Sequence, residues 1–489
     1  MAIDDARHLG SAAIRRPAAL RTAVPATAGQ TPPAVALSLA ALSIALIFGA
    51  ALILPVPFWR AQPAAPSPST ASAASDLGWP AILLALAFGL ALTAPYRPYL
   101  LALRVAARVS TRTLVLLTVG LALTALLIFP SFGSDLFVYL DYERLWAVYG
   151  ANPLLAFPNL HPEDWAFRFV WIPQQPSPYG PLWPLLTWPI ARVAGDSLWA
   201  WIGGYKLLSL TGYVTCCALI WFTTEPARRK RALLLFAWSP LVLFEVLGKA
   251  HNDSLLAVSA LATVSLARRH PVGGMLAATA GMLVKLSGLA VVLGLAVWLA
   301  RARAWRTLAL GSAAALGLTL ALYAPFWAGP ETLRPVFVQT SRVVWSPGAL
   351  IIALASAASA GWIDLAARAL GAVAWATVCV LVARRATDLA RDTAWLLVAT
   401  LLLLTTAFFA HYLVPVVALA AVAGHHRLER LAVALSIGSL AAYSVELLGP
   451  GLPPGWIGSP GYQALGSLLT LAPAALVAFG WLRRDAQRA

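Results

Sequence analysis

The stretch RTLVLLTVGLALTALLIFP at 112–130, followed three residues later by Ser134-Asp135-Leu136-Phe137-Val138-Tyr139-Leu140-Asp141-Tyr142-Glu143-Arg144, decides how this chain is read. The first part has a single charge, Arg112, at its start. It has the length an α-helix needs to cross a hydrocarbon core of about 30 Å. The second part turns acidic and aromatic within a few residues. A helix that leaves a bilayer and runs into carboxylates and tyrosines puts ionisable chemistry at the lipid–water boundary, where such groups are costly and usually functional.

Working outward, similar apolar runs recur. Candidate spans lie near 34–54, 78–94, 112–130, 198–222, 232–247, 253–267, 271–284, 287–300, 307–326, 362–383, 393–409, 412–424, 430–448 and 463–481. The runs 271–300 and 393–424 each read as two short spans or one broken one. The expected fold is therefore an all-α polytopic transmembrane helical bundle of about 12 to 14 spans. Composition agrees: hydrophobic residues make up 60% of the 489 and charged residues only 11%, against about 25% charged in soluble domains. That excludes a water-soluble globule and a disordered chain. Backbone groups in lipid must bond internally, which makes the spans helical.

The net charge of +16 does not point to nucleic acid, because the basic residues form short clusters between apolar runs and no basic face interleaves with aromatics. These clusters are Arg7, Arg15, Arg16 and Arg21; Arg97, Arg104, Arg108 and Arg112; Arg228, Arg229, Lys230 and Arg231; Arg268 and Arg269; Arg301, Arg303 and Arg306; Arg384, Arg385 and Arg391; Arg427 and Arg430; and Arg483 and Arg484. Counting spans puts all of them on one side, the positive-inside pattern of a bacterial plasma-membrane protein with both termini cytoplasmic. The first span reads as an uncleaved anchor, since it is longer than a signal-peptide core. Residues 61–75 read as a flexible outer loop. Cys216, Cys217 and Cys379 lie inside apolar runs and imply neither a disulfide nor a thiolate metal site.

By the same count, 131–197 lies outside. It holds Asp135, Asp141, Glu143, Glu163, Asp164 and Asp196 against Arg144, Arg168 and Arg192. Its first part, 134–149, reads as an amphipathic helix along the outer membrane face. The proline-rich remainder is irregular but fixed in shape. A second outer loop follows at 327–348, and the apolar 347–360 is expected to be re-entrant or surface-lying.

Asp135 follows directly on an apolar span, and partial desolvation there would raise its pKa and make it a better base. Tyr139 and Tyr142 fall on its helical face and could hold a sugar hydroxyl. The alternative is an N-cap, with Ser134 or Asp135 satisfying the first amides and the tyrosines serving as interface anchors. Gly150-Ala151-Asn152-Pro153 and Ser177-Pro178-Tyr179-Gly180-Pro181-Leu182-Trp183 combine turn residues with aromatic faces, either a sugar-stacking platform or a packed loop. Glu245, Lys249, His251, Asn252 and Asp253 collect at the outer end of a helical hairpin. The alternative there is a plain i,i+4 pair between Glu245 and Lys249. Lys285 stands in a run almost without other charges and is expected to pair with a carboxylate or a phosphate rather than to snorkel. His411 is a weaker candidate, a hydrogen-bonded helix-end residue, and His425 and His426 belong to the cytoplasmic membrane surface. No phosphate-binding glycine loop, dinucleotide fingerprint, zinc-protease helix or serine-nucleophile elbow occurs.

Taken together, Asp135, Tyr139, the Arg144-to-Pro153 stretch, the Tyr179-to-Trp183 run, Ala250-His251-Asn252-Asp253 and Lys285 resemble polytopic GT-C glycosyltransferases, in particular bacterial polyprenyl-phosphate-mannose-dependent α-mannosyltransferases. The likeness covers roughly 112–300. It implies inverting transfer of a sugar, mannose by resemblance, from a polyprenyl-phosphate carrier to an acceptor hydroxyl of a glycan, glycolipid or protein outside the cell. Asp135 maps to the general base. Tyr139, Tyr142, Arg144, Asn152, Tyr179, Trp183, Lys249, His251, Asn252, Asp253 and Lys285 map to substrate contacts, with Lys249, His251 or Lys285 facing the phosphate. Leu136-Phe137 stands where a paired-acid, metal-binding pattern would need a second acid, so neither a metal nor another cofactor is expected. The resulting organisation is a cytoplasmic tail (1–33), N-terminal transmembrane helices (34–130), a catalytic loop with its interfacial helix (131–197), core helices with a carrier-binding hairpin (198–326), a second outer loop (327–361) and C-terminal helices (362–489). The competing reading is a lipid-linked sugar flippase or transporter; against it, no internal repeat is evident.

Overall fold

The computed structural model describes residues 32–53, 78–130, 135–170, 173–335, 342–356, 362–448, 456 and 458–487. The tail with Arg7, Arg15, Arg16 and Arg21, the 61–75 loop and Ser134 lie outside the described residues. The chain forms α1 (Pro33–Ile53), α2 (Gly78–Thr93), α3 (Tyr96–Val105), α4 (Thr111–Leu126), α5 (Asp135–Ala147), α6 (Leu182–Ala194), α7 (Leu198–Thr223), α8 (Arg229–Ala237) and α9 (Pro240–Val242). It continues with α10 (Asp253–Leu266), α11 (Pro271–Val284), α12 (Leu289–Arg301), α13 (Trp305–Tyr323), α14 (Pro347–Ser356), α15 (Trp362–Arg385), α16 (Leu389–Ala399), α17 (Val414–Ala423), α18 (His426–Leu448) and α19 (Pro460–Ala486). Among the described residues the only extended pairing is an isolated bridge of Val344 and Trp345 with Ala407. The fold is the polytopic helical bundle expected of so apolar a chain.

Among the described residues, six helical stretches are long and apolar enough to cross a membrane: Ile82–Arg108, Leu198–Thr223, Trp305–Phe326, Asp364–Arg385, His426–Leu448 and Pro460–Asp485. A bent pair, Arg229–Ala237 with Pro240–Gly248, makes up to seven. The other runs read as spans fall on shorter apolar helices of 10–17 residues, such as α10, α11 and α17. The physical reason is visible in their burial. Eight of the ten residues of α17 are buried, and α10 packs against α7, α11 and α17. Such helices are sheathed by protein and can stop partway. By contrast α13 exposes Leu310, Leu316 and Leu320, and α15 exposes Leu365, Leu370 and Val373. Apolar residues outside and ionisable ones inside are the inversion that a lipid solvent imposes.

The main core gathers around α8, α9, α10 and α17, with Phe236, Trp238, Leu241 and Leu413 fully buried. At one end of the bundle the basic clusters meet. Lys230 donates to the Val109 carbonyl, Arg231 forms a two-pronged pair with Glu429 at 2.6 and 2.8 Å, and Arg427 pairs with Asp485.

Three helix breaks shape the rest. After the 47° bend at Ser239-Pro240, Leu243–Gly248 winds as a π-helix, and the chain leaves helix until Asp253, with Ala250 at φ 58°. Lys285 is extended between α11 and the turn that opens α12. A second π-helical turn, Thr400–Leu404, ends α16 before a 3-10 turn at Ala410–Leu413. π-turns and wide breaks of this kind are frequent at functional sites.

α5 is more enclosed than its amphipathic spacing predicts, because 150–196 folds back over it. Nine of its 13 residues are buried, Tyr139, Tyr142, Glu143 and Arg144 among them. The apolar segment after 347 is the ten-residue α14, packed on α15 and α19.

Candidate active site

The breaks bring together residues far apart in sequence. Asp135 comes from the first turn of α5, Glu245 from the π-helix, Lys249, His251 and Asp253 from the gap after it, Lys285 from the gap after α11, and His411 from the 3-10 turn before α17. All but Asp135 have side chains at most 9% exposed; Asp135 is 15% exposed and is the most accessible of the set.

His251 is the hub. Its Nδ1 lies 3.6 Å from Asp135 Oδ2 and its Nε2 3.2 Å from Glu245 Oε2. The ring stacks on His411 with centroids 3.9 Å apart. His411 Nε2 is 3.9 Å from both Asp135 and Asp253, and its Nδ1 is 3.9 Å from Glu245. Both His251 nitrogens, His411 Nδ1 and both Glu245 oxygens are buried without a hydrogen bond. Among the described residues, Asp135, His251 and His411 offer ligand atoms within 4.8 Å of one another, close enough to hold a metal ion.

Lys285 donates to both Asp253 oxygens at 2.8 and 3.0 Å, and its ammonium sits 4.1 Å from the Tyr412 ring centroid. The sequence expectation of pairing is met by this carboxylate. Lys249 reaches away, to the Tyr443 hydroxyl at 3.0 Å. It keeps only a 3.9 Å contact with Glu245, because the π-turn displaces the i,i+4 register.

The Tyr179 platform closes the site from the loop side. Its hydroxyl donates to Asp135 Oδ2 at 2.7 Å, and its ring meets Tyr139, which in turn packs on Trp183 and Tyr205. The Tyr139 hydroxyl accepts from the Asn252 amide at 3.3 Å, while the Asn252 side-chain amide is buried without a partner. Gly180 makes the docking possible: its N–H bonds the Val284 carbonyl at 3.1 Å, and a Cβ there would lie 2.2 Å from the Leu283 carbonyl oxygen.

Burial pushes the Asp135 carboxyl up, but His251, Lys285 and the Tyr179 hydroxyl outweigh it and hold it well below the usual carboxylate range. The expected upward shift is therefore corrected: desolvation is present, and the donors and cations around the carboxylate win.

Three expected site residues stand elsewhere. Arg144 pairs with Asp164 at 2.9 Å and Asp196 at 2.8 Å, and its NH1 also donates to the Gly195 carbonyl. The Tyr142 hydroxyl donates to the carbonyls of Gln175 and Pro176. The Asn152 amide donates to the Phe326 carbonyl, and its oxygen accepts from the Leu154 amide. All three fasten the loop.

Sequence reasoning undervalued His411 and missed Lys206, Tyr412, Tyr443 and Glu446. Lys206 donates to the carbonyls of Ile128, Leu247 and Gly248 at 2.8 to 2.9 Å, capping the π-helix. The signal was present in the form that found Lys285, a lone lysine in an apolar helix. The tyrosines carried none.

Beside the cluster lies a cavity of about 210 Å³ lined by Lys285, Tyr412, Pro178, Leu289, Leu293, Trp375, Leu401 and Leu404, among others. Its walls are mainly apolar, and Lys285 and Tyr412 join it to the carboxylates.

A family model described as "Alpha-(1->6)-mannopyranosyltransferase, N-terminal domain" matches residues 35–303, more than half of the chain. Asp135, His251 and Lys285 fall inside the match; His411 and Tyr412 fall beyond it. The alpha-(1->6)-mannopyranosyltransferase B of Corynebacterium glutamicum is 31% identical over 137 residues, which are 26% of this chain and 22% of that protein. The chain thus aligns with about a fifth of that relative's length. No solved structure matches the chain. The match over more than half of its length shows that the chain belongs to the alpha-(1->6)-mannopyranosyltransferase family.

Proposed function

We propose that the chain transfers mannose from a polyprenyl-phosphate carrier to an acceptor hydroxyl, with inversion, on the extracytoplasmic side of a bacterial plasma membrane. The observation that carries this reading is that Lys285, bonded to Asp253 in the cluster that holds Asp135, also lines an apolar cavity. A lipid tail suits the apolar walls. A phosphate suits the ammonium, which binds it as a point charge.

The acceptor oxygen forms a bond to the anomeric carbon as the bond from that carbon to the phosphate oxygen breaks. The acceptor proton passes to Asp135, and the lipid phosphate leaves as its anion beside Lys285. The depressed pKa keeps Asp135 ionised and ready, at the expense of base strength. That exchange suits a leaving group that departs without needing a proton. The Tyr139, Tyr179 and Trp183 rings are buried against one another and form the packed wall behind Asp135, where the Tyr179 hydroxyl orients the carboxylate. Arg231, Arg427 and their neighbouring basic residues, at the opposite end of the bundle, then face the cytoplasm. The acceptor class, whether glycan, glycolipid or protein, is for the assay to decide.

The test is transfer of labelled mannose from synthetic polyprenyl-phosphate mannose to mannoside acceptors by the purified chain in lipid nanodiscs. Asp135→Asn keeps shape and removes the base, and is expected to lower kcat by about 10²- to 10⁴-fold. Leu404→Trp, which narrows the cavity, is expected to raise KM for a long-tailed donor more than for a short-chain one. Full transfer by Asp135→Asn removes the proposed base. Export of the lipid-linked sugar from sealed vesicles without any acceptor would point instead to a transporter.

A further inference from the structure

We propose that Asp135, His251 and His411 form a binding site for a divalent cation of the zinc class. The sequence alone speaks against a metal, because the residue after Asp135 is not an acid. The ligands come instead from helix breaks far downstream, which no local motif reveals.

The geometry is that of a site waiting to contract. His251 Nδ1 and His411 Nε2 lie 3.6 and 3.9 Å from the same oxygen, Asp135 Oδ2. Ligands bonded to one tetrahedral zinc at about 2.0–2.2 Å stand roughly 3.3–3.6 Å from each other. The two imidazole nitrogens lie within 4.8 Å of each other on rings stacked 14° from parallel, so a shared ion requires one ring to turn as the nitrogens close by up to about an ångström. A second carboxylate lies behind the first three groups: Glu245 Oε2 is 3.2 Å from the other nitrogen of His251 and 3.9 Å from the other nitrogen of His411. Glu245 is thus placed to accept from the outer nitrogen of a metal-bound imidazole, the usual outer shell of such sites.

The buried polar atoms point the same way. Both His251 nitrogens and His411 Nδ1 are buried and complete no hydrogen bond, a state that buried polar groups rarely keep.

Three protein ligands with room for a fourth is the pattern of reactive zinc sites, whereas closed sites hold four. A fourth position is left for an oxygen of the acceptor or of the donor phosphate. This inference rests on the transfer reading for that purpose only. A carboxylate with one oxygen on the cation keeps the other for the acceptor proton.

The experiment uses the full chain, purified without a polyhistidine tag, stripped with a chelator and exchanged into metal-free buffer. Zinc alone and cobalt(II) alone are the probes. Elemental analysis is expected to return one zinc per chain, and cobalt to give visible ligand-field bands of four-coordinate intensity. His411→Gln and Asp135→Asn lose both signals. Glu245→Gln keeps the stoichiometry and weakens affinity by about 10- to 100-fold. His425→Ala and His426→Ala, beside the basic clusters, change nothing. Substoichiometric zinc with no cobalt bands in the parent chain overturns the proposal, and so does undiminished binding by His411→Gln. Transfer that persists in a chain binding no metal removes the cation site and leaves the transfer reading standing. Stoichiometric binding by a chain that transfers nothing does the reverse.

Discussion

Two buried charge networks lie within one molecule and differ in one respect. In the loop, Arg144 is met by Asp164, Asp196 and the Gly195 carbonyl, and Asp164 is met in turn by Tyr149 and the Ala166 amide. Each of these charges has its partners. In the bundle, His251, His411, Glu245 and the Asn252 side chain keep polar atoms with no hydrogen bond, although their neighbours are ionisable. A satisfied network holds a fold together, and one left short of partners is shaped for something that arrives. Burial and charge alone do not separate the two, and both were legible as acidic clusters in the sequence.

The sharpest way to break the comparison is to remove one cation from each network. Arg144→Ala leaves Asp164 buried and unpaired, and Lys285→Met does the same to Asp253. Each is expected to cost about 3–5 kcal/mol of stability. Transfer per folded molecule should survive the first and fail in the second. Adding Asp253→Leu to Lys285→Met should recover stability without recovering transfer. If Arg144→Ala abolishes transfer in molecules that remain folded, the loop network belongs to the chemistry and the distinction fails. Thermal midpoints and single-turnover rates on the same preparations read both quantities.

A smaller effect tests a weak point beside the loop network. Asp141 has a buried oxygen without a hydrogen bond. Burial first, and Asp164 second, push its carboxyl up to about 7 against the pull of Arg144 and His161. The folded state therefore holds this proton more tightly than the unfolded chain, whose carboxyl titrates near 3.8. Stability should fall as pH rises from about 4 to about 7 and level off above that. Asp141→Asn is expected to flatten this slope, raising the midpoint at alkaline pH and leaving it unchanged at about pH 4. A parallel pair of curves would refute the shift.

The smallest effect belongs to the far end of the bundle. Arg427 and Asp485 pair at 2.7 Å with side chains 39% and 47% exposed. Arg427→Ala should alter stability by less than about 1 kcal/mol and leave transfer alone. A large loss there would mean that exposed pairs count as much as buried ones in this fold.

Much of the bundle was legible because lipid imposes a simple rule on composition, and the helix boundaries followed the apolar runs closely. Asp135, His251, Asp253 and Lys285 were legible for the same reason, as rare charges in apolar surroundings. The sorting of Arg144, Tyr142 and Asn152 away from the site was not, because it depends on which carbonyls a folded loop presents. His411 was undervalued because nothing in its own neighbourhood marks it. Its importance comes from a ring brought against it from residue 251. The direction of the Asp135 shift was misread for a similar reason: proximity to lipid is visible in sequence, and the donors that outweigh it come from three other segments.

The capping of the π-helix by Lys206 has a consequence for how the cleft is assembled. His411 follows Asp135 by 276 residues in the chain, and between them the Lys206 ammonium ties the Ile128 carbonyl beyond α4 to the carbonyls of Leu247 and Gly248. The cluster is therefore complete only when stretches from distant parts of the sequence have packed together.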